Sequence, residues 1–471
     1  MIALYFSMNR YPNLPTHTRR ETWLNYFKTI IKLAQNLIFN TCANLINFIK
    51  NIIYSQAFLE NSRQNDKDFS RTRKLPFALL VLYLCNLTKS SYQPELNKFF
   101  KILTGSTIAK NIVSKVALCK ARKKLKYETF TDLNKQSVDY FNANFKPLKW
   151  NGFFLQAVDG STVKLPNFPE ISEHFGTWKP RQGDPLPMAR ISQMFDPLNR
   201  VTTHALISPK SVGEREVAAN HFEHLTNQDL VLLDRGYPAF WLFKLILFYN
   251  AHFCSRISIK KWKIVREFIS SGKQDQIVSI EPPTTSIVAC QEYGLDLCPM
   301  KLRLIRVELD SGEPEVLITS LLDSETYPTD LFAELYHDRW PVEEDYKIMK
   351  CRIELENFSG KSSLSVYQDF HARIFSKNIT SMLAFAAQPI VDETAEDKEH
   401  CYKINFTQAL STMRDTIVML LVKSTTAIQS IVSDILDTFA MATEPVRPGR
   451  KFPRNHKRAQ RKYCLNYKPI L

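Results

Sequence analysis

Two short apolar runs, each ending in an aspartate, constrain this chain more than any other feature. In FFLQAVDGSTVKLPN the run from Phe153 to Val158 reads as a buried strand, with Asp159 at its end and Gly160 breaking it directly after the acid. In DLVLLDRGYPAFWLF, Leu230 to Leu233 form a second short strand, Asp234 follows, and Gly236 and Pro238 turn the chain into an apolar helix. Buried strands alternating with helices call for an α/β architecture. ARISQMFDPLNRVTTHALI adds two strands around a turn at Asp196-Pro197-Leu198-Asn199, and residues 213–225 have helical texture. A strand ending in Asp-Gly is more often an ordinary turn, so neither aspartate marks a site by itself.

A third segment, YHDRWPVEEDYKIMK, places Tyr336, Arg339, Glu343 and Lys350 in the spacing Y-x2-R-x3-E-x6-K. Pro341 suits a first helical turn. From there Glu343 and Lys350 lie seven positions apart on one face, with Lys347 expected between them. A carboxylate can hold a divalent metal while Arg339 and the lysines hold phosphates, an arrangement suited to phosphodiester chemistry. A single such pair would be read as a solvated i,i+4 contact.

At all four letters this segment resembles the Y-R-E-K signature of the insertion sequence 4 family of bacterial DDE transposases. The segments at Asp159 and Asp234 resemble its other two boxes. The resemblance implies a ribonuclease H-like α/β core interrupted by a mainly β insertion, with helical amino- and carboxyl-terminal regions. It also implies that Asp159, Asp234 and Glu343 carry two Mg²⁺ ions, with Mn²⁺ an alternative, and that Tyr336, Arg339 and Lys350 position DNA phosphates. Glu344 and Asp345 are neighbouring candidates for the third acid, and only the family spacing selects Glu343. Two such ions, about 3.5–4 Å apart, suit an in-line displacement at phosphorus. The activity implied is cut-and-paste transposition, in which element ends are cut and their 3′-hydroxyls joined to target DNA, with a DNA hairpin intermediate and a homodimer synapsed on two ends. A metal-dependent nuclease without strand transfer and an inactive DNA-binding relic are the alternatives.

The formal net charge of +15 favours a polyanionic partner. Double-stranded DNA at the element ends and target fits this charge. Basic residues cluster at Arg71, Arg73 and Lys74, and again at Lys120, Arg122, Lys123, Lys124 and Lys126, in stretches that read as helices and resemble the family's DNA-binding region. Trp262, among Lys260, Lys261 and Lys263, is a candidate stacking platform for a displaced base, weighed against ordinary strand packing. The tail from Arg447 holds nine Lys or Arg and no acid.

No apolar run approaches the length of a spanning helix, and Met1 to Arg20 lacks the pattern of a signal peptide. Nine scattered cysteines form no zinc pattern and fit a reducing compartment. The family resemblance further implies the bacterial cytoplasm, in association with the nucleoid. The expected organisation is an N-terminal helical segment (1–60), a helical DNA-binding region (61–148), a core in two parts (149–258 and 326–390) around a β-rich insertion (259–325), and a helical C-terminal region with a basic tail (391–471). HFCSRISI, QIVSIEP, LRLIRVEL and PEVLITSLL supply the strands expected in and beside the insertion. VYQDFHARIFSKNITSMLAFAAQ reads as a long helix that buttresses the core.

Overall fold

The computed structural model describes residues 38–179, 185–308, 314–423 and 425–447. The expectations for Met1–Arg20 and for the basic tail beyond Arg447 lie outside the described residues.

Eight strands form a path in one mixed sheet and a ninth pairs at its side. They are β1 (Phe154–Lys164), β2 (Thr177–Trp178), β3 (Leu186–Asp196), β4 (Val201–Pro209), β5 (Asp229–Leu233), β6 (His252–Ile257), β7 (Asp275–Ile280), β8 (Met300–Glu308) and β9 (Pro314–Thr319). The order is β2-β3-β1-β5-β6-β9-β8-β7, with β4 on β3. β1 runs antiparallel to β3 and parallel to β5, which is parallel to β6. The β3–β4 hairpin forms at the expected turn, where the Asp196 carboxylate accepts from the Leu198 and Asn199 backbone N–H groups at 3.0 and 3.1 Å.

Both faces of the sheet are covered, which is why β5 and the first part of β1 are largely apolar. Leu155 and Ala157 of β1, with Leu230 and Leu232 of β5, pack on one face with Val342, Tyr346 and Met349. Val158, Val231 and Leu233 pack on the other with Phe222, Phe240 and Phe243. The helix Ser363–Thr394 runs through the molecule with Phe370, Ile374, Ile379 and Leu383 all buried. Its amino end is capped by Ser362, whose hydroxyl accepts from the Ser365 N–H.

Four expectations are corrected. Gly160 does not end β1: the strand continues to Lys164, because β3 keeps pairing with it, Gly160 against Ser192, beyond the point where β5 stops. Arg71, Arg73 and Lys74 stand on an exposed irregular segment, since Pro76 restricts the residue before it and the helix starts only at Phe77. The segment 259–325 contains helices Lys263–Ser270 and Thr284–Glu292 as well as strands. Those strands prolong the central sheet through the antiparallel pairing of β9 with β6.

Arg122 is the fourth. It is buried, and its guanidinium donates to Asp369 Oδ1 at 2.8 Å, Tyr92 Oη at 2.6 Å, Ser359 Oγ at 2.9 Å, Gln368 Oε1 at 2.9 Å and the Ser365 carbonyl at 3.0 Å. It pins the amino-terminal helices to the long helix and is not available to a DNA phosphate. Lys123 remains exposed, and Lys124 is paired with Asp68 at 2.9 Å.

Candidate active site

The register of β1 and β5 brings the two aspartates together. Val158 pairs with Leu233 in parallel, so Asp159 and Asp234 are the next residues along adjacent strands, whose spacing is about 4.8 Å. Side chains alternate along a strand, and by that count both acids fall on the face of Ala157 and Leu232. This face is covered by the helix Pro341–Cys351, which begins where Pro341 predicts and carries Glu343 in its first turn.

Glu343, on this covering helix, is near enough for its charge to act on Asp159. Burial raises the Asp159 pKa to about 7; the Gly160 N–H and the Arg339 charge oppose the rise, while Asp234 and Glu343 add to it. Asp234 accepts from the Gly236 N–H at 2.7 Å, an Asx turn directly after the strand end. Arg339, in the short turn before the Glu343 helix, donates to Glu343 Oε1 at 2.8 Å and holds its guanidinium 5.8 Å from the Tyr336 ring centre. Burial raises the Tyr336 pKa; Arg339 works against the rise and Asp234 with it. Lys350 Nζ donates to Ser161 Oγ at 2.6 Å, two residues along β1 from Asp159 on the same face. Burial lowers the Lys350 pKa, opposed by Glu356, Cys351 and Asp159.

The alternatives for the third acid are otherwise engaged. Glu344 points outward and pairs with Lys347 at 2.5 Å. Lys347 and Tyr346 flank the face of Glu343 and Lys350, each three residues from one and four from the other; Lys347 lies on the exposed flank, paired with Glu344, and Tyr346 on the buried one. Asp345 is buried against Lys377 at 2.6 Å.

Trp262 precedes the helix Lys263–Ser270 and packs, partly buried, against the apolar cluster of Phe268 and Val265. It lies in no strand. The sequence reading missed Tyr346, whose buried hydroxyl donates to the Asp159 carbonyl at 2.7 Å, and Lys377. A tyrosine on the face shared by Glu343 and Lys350 was a usable signal for the first; nothing in the sequence pointed to the second.

Hard carboxylate oxygens, with the Asp159 pKa raised by burial and further by the neighbouring Asp234 and Glu343 charges, suit a hard divalent cation, and Arg339 supplies positive charge at the same place. Among the described residues no three His, Cys, Asp or Glu side chains are grouped closely enough to hold a metal as a set, and Glu343 is held by Arg339. A cavity of about 790 Å³ beside the helix Glu128–Asn144 is lined by none of the three acids.

Residues 155–379, from β1 into the long helix, match the transposase DDE domain, so the match takes in all three acids. Over 406 residues the chain is 22% identical to the transposase InsG of insertion sequence element IS4 from Escherichia coli (strain K12), covering 83% of this chain and 88% of that one. These matches support a DDE transposase of the insertion sequence 4 family. Among solved structures, the transposase resembles the piggyBac transposase in its cryo-EM synaptic complex with hairpin DNA. That likeness covers 89% of this chain and 90% of the other, at 8% identity and a TM-score of 0.40. No helix of the transposase, among the described residues, is long and apolar enough to cross a membrane.

Proposed function

We propose that this transposase binds double-stranded DNA at the ends of its element, nicks it there and joins the freed 3′-hydroxyls to target DNA in a cut-and-paste reaction. The observation that carries the reading is the adjacency of Asp159 in β1 and Asp234 just past the end of β5, facing the segment in which Arg339 is bonded to Glu343 and Lys350 reaches Ser161 of β1. A ribonuclease H-like core is supported by the strand order β4-β3-β1-β5-β6, in which the first three strands are antiparallel and the last two parallel to the central one. The core would be formed by residues 149–258 and 326–390.

Asp159, Asp234 and Glu343 would hold two divalent ions, Mg²⁺ or Mn²⁺, which when bound activate the attacking oxygen and stabilise the leaving one. Arg339, freed from Glu343, presents a planar fork suited to two phosphate oxygens, and Lys350 a point charge beside β1. Tyr336 supports the Arg339 guanidinium through its ring. In the first step water attacks phosphorus, the bond to the 3′-oxygen breaks, and that oxygen leaves protonated. In the second, the 3′-hydroxyl loses its proton, its oxygen attacks a target phosphorus, the bond from that phosphorus to the target's own 3′-oxygen breaks, and that oxygen leaves as a hydroxyl, taking up a proton. The excision route through a hairpin, and a homodimer synapsing two ends, belong to the same proposal.

Arg71, Arg73, Lys74 and Lys123 supply exposed positive charge for DNA outside the site. Trp262 is proposed to act there only if its helix end opens, because its ring is partly covered.

The test is incubation of the purified protein with DNA carrying the element's flanking repeats and a supercoiled target, with Mg²⁺ or EDTA, beside Asp159→Asn. Metal-dependent hairpins and joined molecules that the variant fails to form are expected. Cleavage with no joining would replace this reading by a nuclease, and tight binding with no chemistry would leave a DNA-binding protein.

A further inference from the structure

Beneath the Glu343 helix, four buried side chains close a ring of hydrogen bonds. Lys377 Nζ, on the long helix, donates to Asp345 Oδ2 at 2.6 Å and to Thr202 Oγ1 at 2.7 Å. Thr202 Oγ1, on β4, donates to Gln193 Oε1 at 3.1 Å, and Gln193 Nε2 donates back to Asp345 Oδ2 at 3.1 Å. Lys377 and Thr202 have no exposed surface, and Gln193 and Asp345 have almost none. Gln193 is the residue of β3 paired directly with Asp159 of β1. The ring therefore fixes the Glu343 helix to the strand position beside the first acid.

A buried ion pair is a poor way to gain stability, since apolar side chains of similar volume often stabilise as well or better. What it adds is a defined geometry, because the pair is satisfied in only one register. The Tyr346 hydroxyl makes a second tie, from the same helix to the Asp159 carbonyl at 2.7 Å. Asp345 and Tyr346 are two and three residues from Glu343, so a slip of the helix that moved the carboxylate would break both contacts.

We propose that Lys377, acting through Asp345, is a positioning residue that sets Glu343 against Asp159 and Asp234, with the Tyr346 hydroxyl as the second tie. The proposal rests on the reading of these three acids as the metal-holding set. Side chains that orient metal-holding groups are commonly worth about 10–100-fold in metal affinity.

The experiment measures Mn²⁺ binding by electron paramagnetic resonance on the DNA-free full chain, together with thermal unfolding without metal. The double variant Lys377→Met with Asp345→Leu leaves no stranded charge, and Tyr346→Phe removes one hydroxyl; Glu343→Gln is the reference. Mn²⁺ affinity is expected to fall about tenfold or more in the double variant and in Tyr346→Phe, at an unfolding temperature near that of the natural chain. A folded double variant that binds Mn²⁺ as the natural chain does, while Glu343→Gln does not, would show that the ring is merely structural and overturn the positioning role alone. If Glu343→Gln leaves Mn²⁺ affinity unchanged, the metal-site reading fails and the positioning role falls with it. Should the double variant not fold, Tyr346→Phe decides by the same criterion.

Discussion

At Asp159 the chain keeps a carboxyl group whose charged form the fold disfavours. Its pKa rises from 3.8 to about 7, through burial first, so the folded chain binds a proton there that the unfolded chain has already released at lower pH. The sign follows from linkage: this group costs the folded state nothing below about pH 4, progressively more as the pH climbs toward 7, and a constant amount above it. Asp159→Asn should therefore gain stability over the natural chain between pH 4 and 7 and hold that gain at higher pH. Thermal unfolding of both proteins across this range, without divalent ions, measures it; a difference independent of pH would mean that Asp159 is not buried as described. Cation binding must displace the same proton, so metal affinity should rise about tenfold per pH unit below 7 and level off above it.

Elements gain their positions from side chains that cross between them. The Arg122–Asp369 pair joins the helix Lys115–Arg122 to the helix Ser363–Thr394, and five acceptors surround the guanidinium. Burial acts to raise the Asp369 pKa, and the Arg122 and Arg373 charges together with the hydrogen bonds from Ser359 more than reverse it, so the carboxylate stays ionised. Arg122→Met strands that charge in the interior and should cost about 3–5 kcal/mol in a denaturant titration. A loss below about 1 kcal/mol would place the pair among exposed contacts of little worth. Because Lys377 lies on the same long helix two turns on, this anchor and the ring beneath Glu343 share one rigid support.

For the whole molecule, charge decides how a DNA partner is held. A chain with a formal net charge of +15 and exposed arginines and lysines ahead of the core should bind DNA through released counterions. An interface neutralising about six phosphates would weaken roughly a thousandfold between about 50 and 200 mM salt. Anisotropy titrations with end-repeat DNA over that range test this, and affinity indifferent to salt would count against a phosphate-led interface. The alanine replacements of Arg71, Arg73 and Lys123 should shallow the slope, whereas Arg122→Met should leave it unchanged in whatever fraction stays folded.

Legible in the residues alone were the apolar runs that lead into Asp159 and Asp234, the hairpin at Asp196, the start of the Glu343 helix at Pro341 and the long helix behind it. Each of these is a local matter of apolar period, turn residues or a first-turn proline. The sequence also carried the spacing of Tyr336, Arg339, Glu343 and Lys350, since seven residues along a helix return to one face. Register and burial were decided only by the tertiary structure. Gly160 continues a strand because β3 pairs across it, the strands after residue 258 prolong the main sheet because β9 finds β6, and Arg122 is interior because Asp369, 247 positions away, is there to neutralise it. Lys377 was invisible for the same reason: a lysine in a sequence reads as a surface cation, and only packing against Asp345, Thr202 and Gln193 turns it into a buried support for the residue two positions from Asp345.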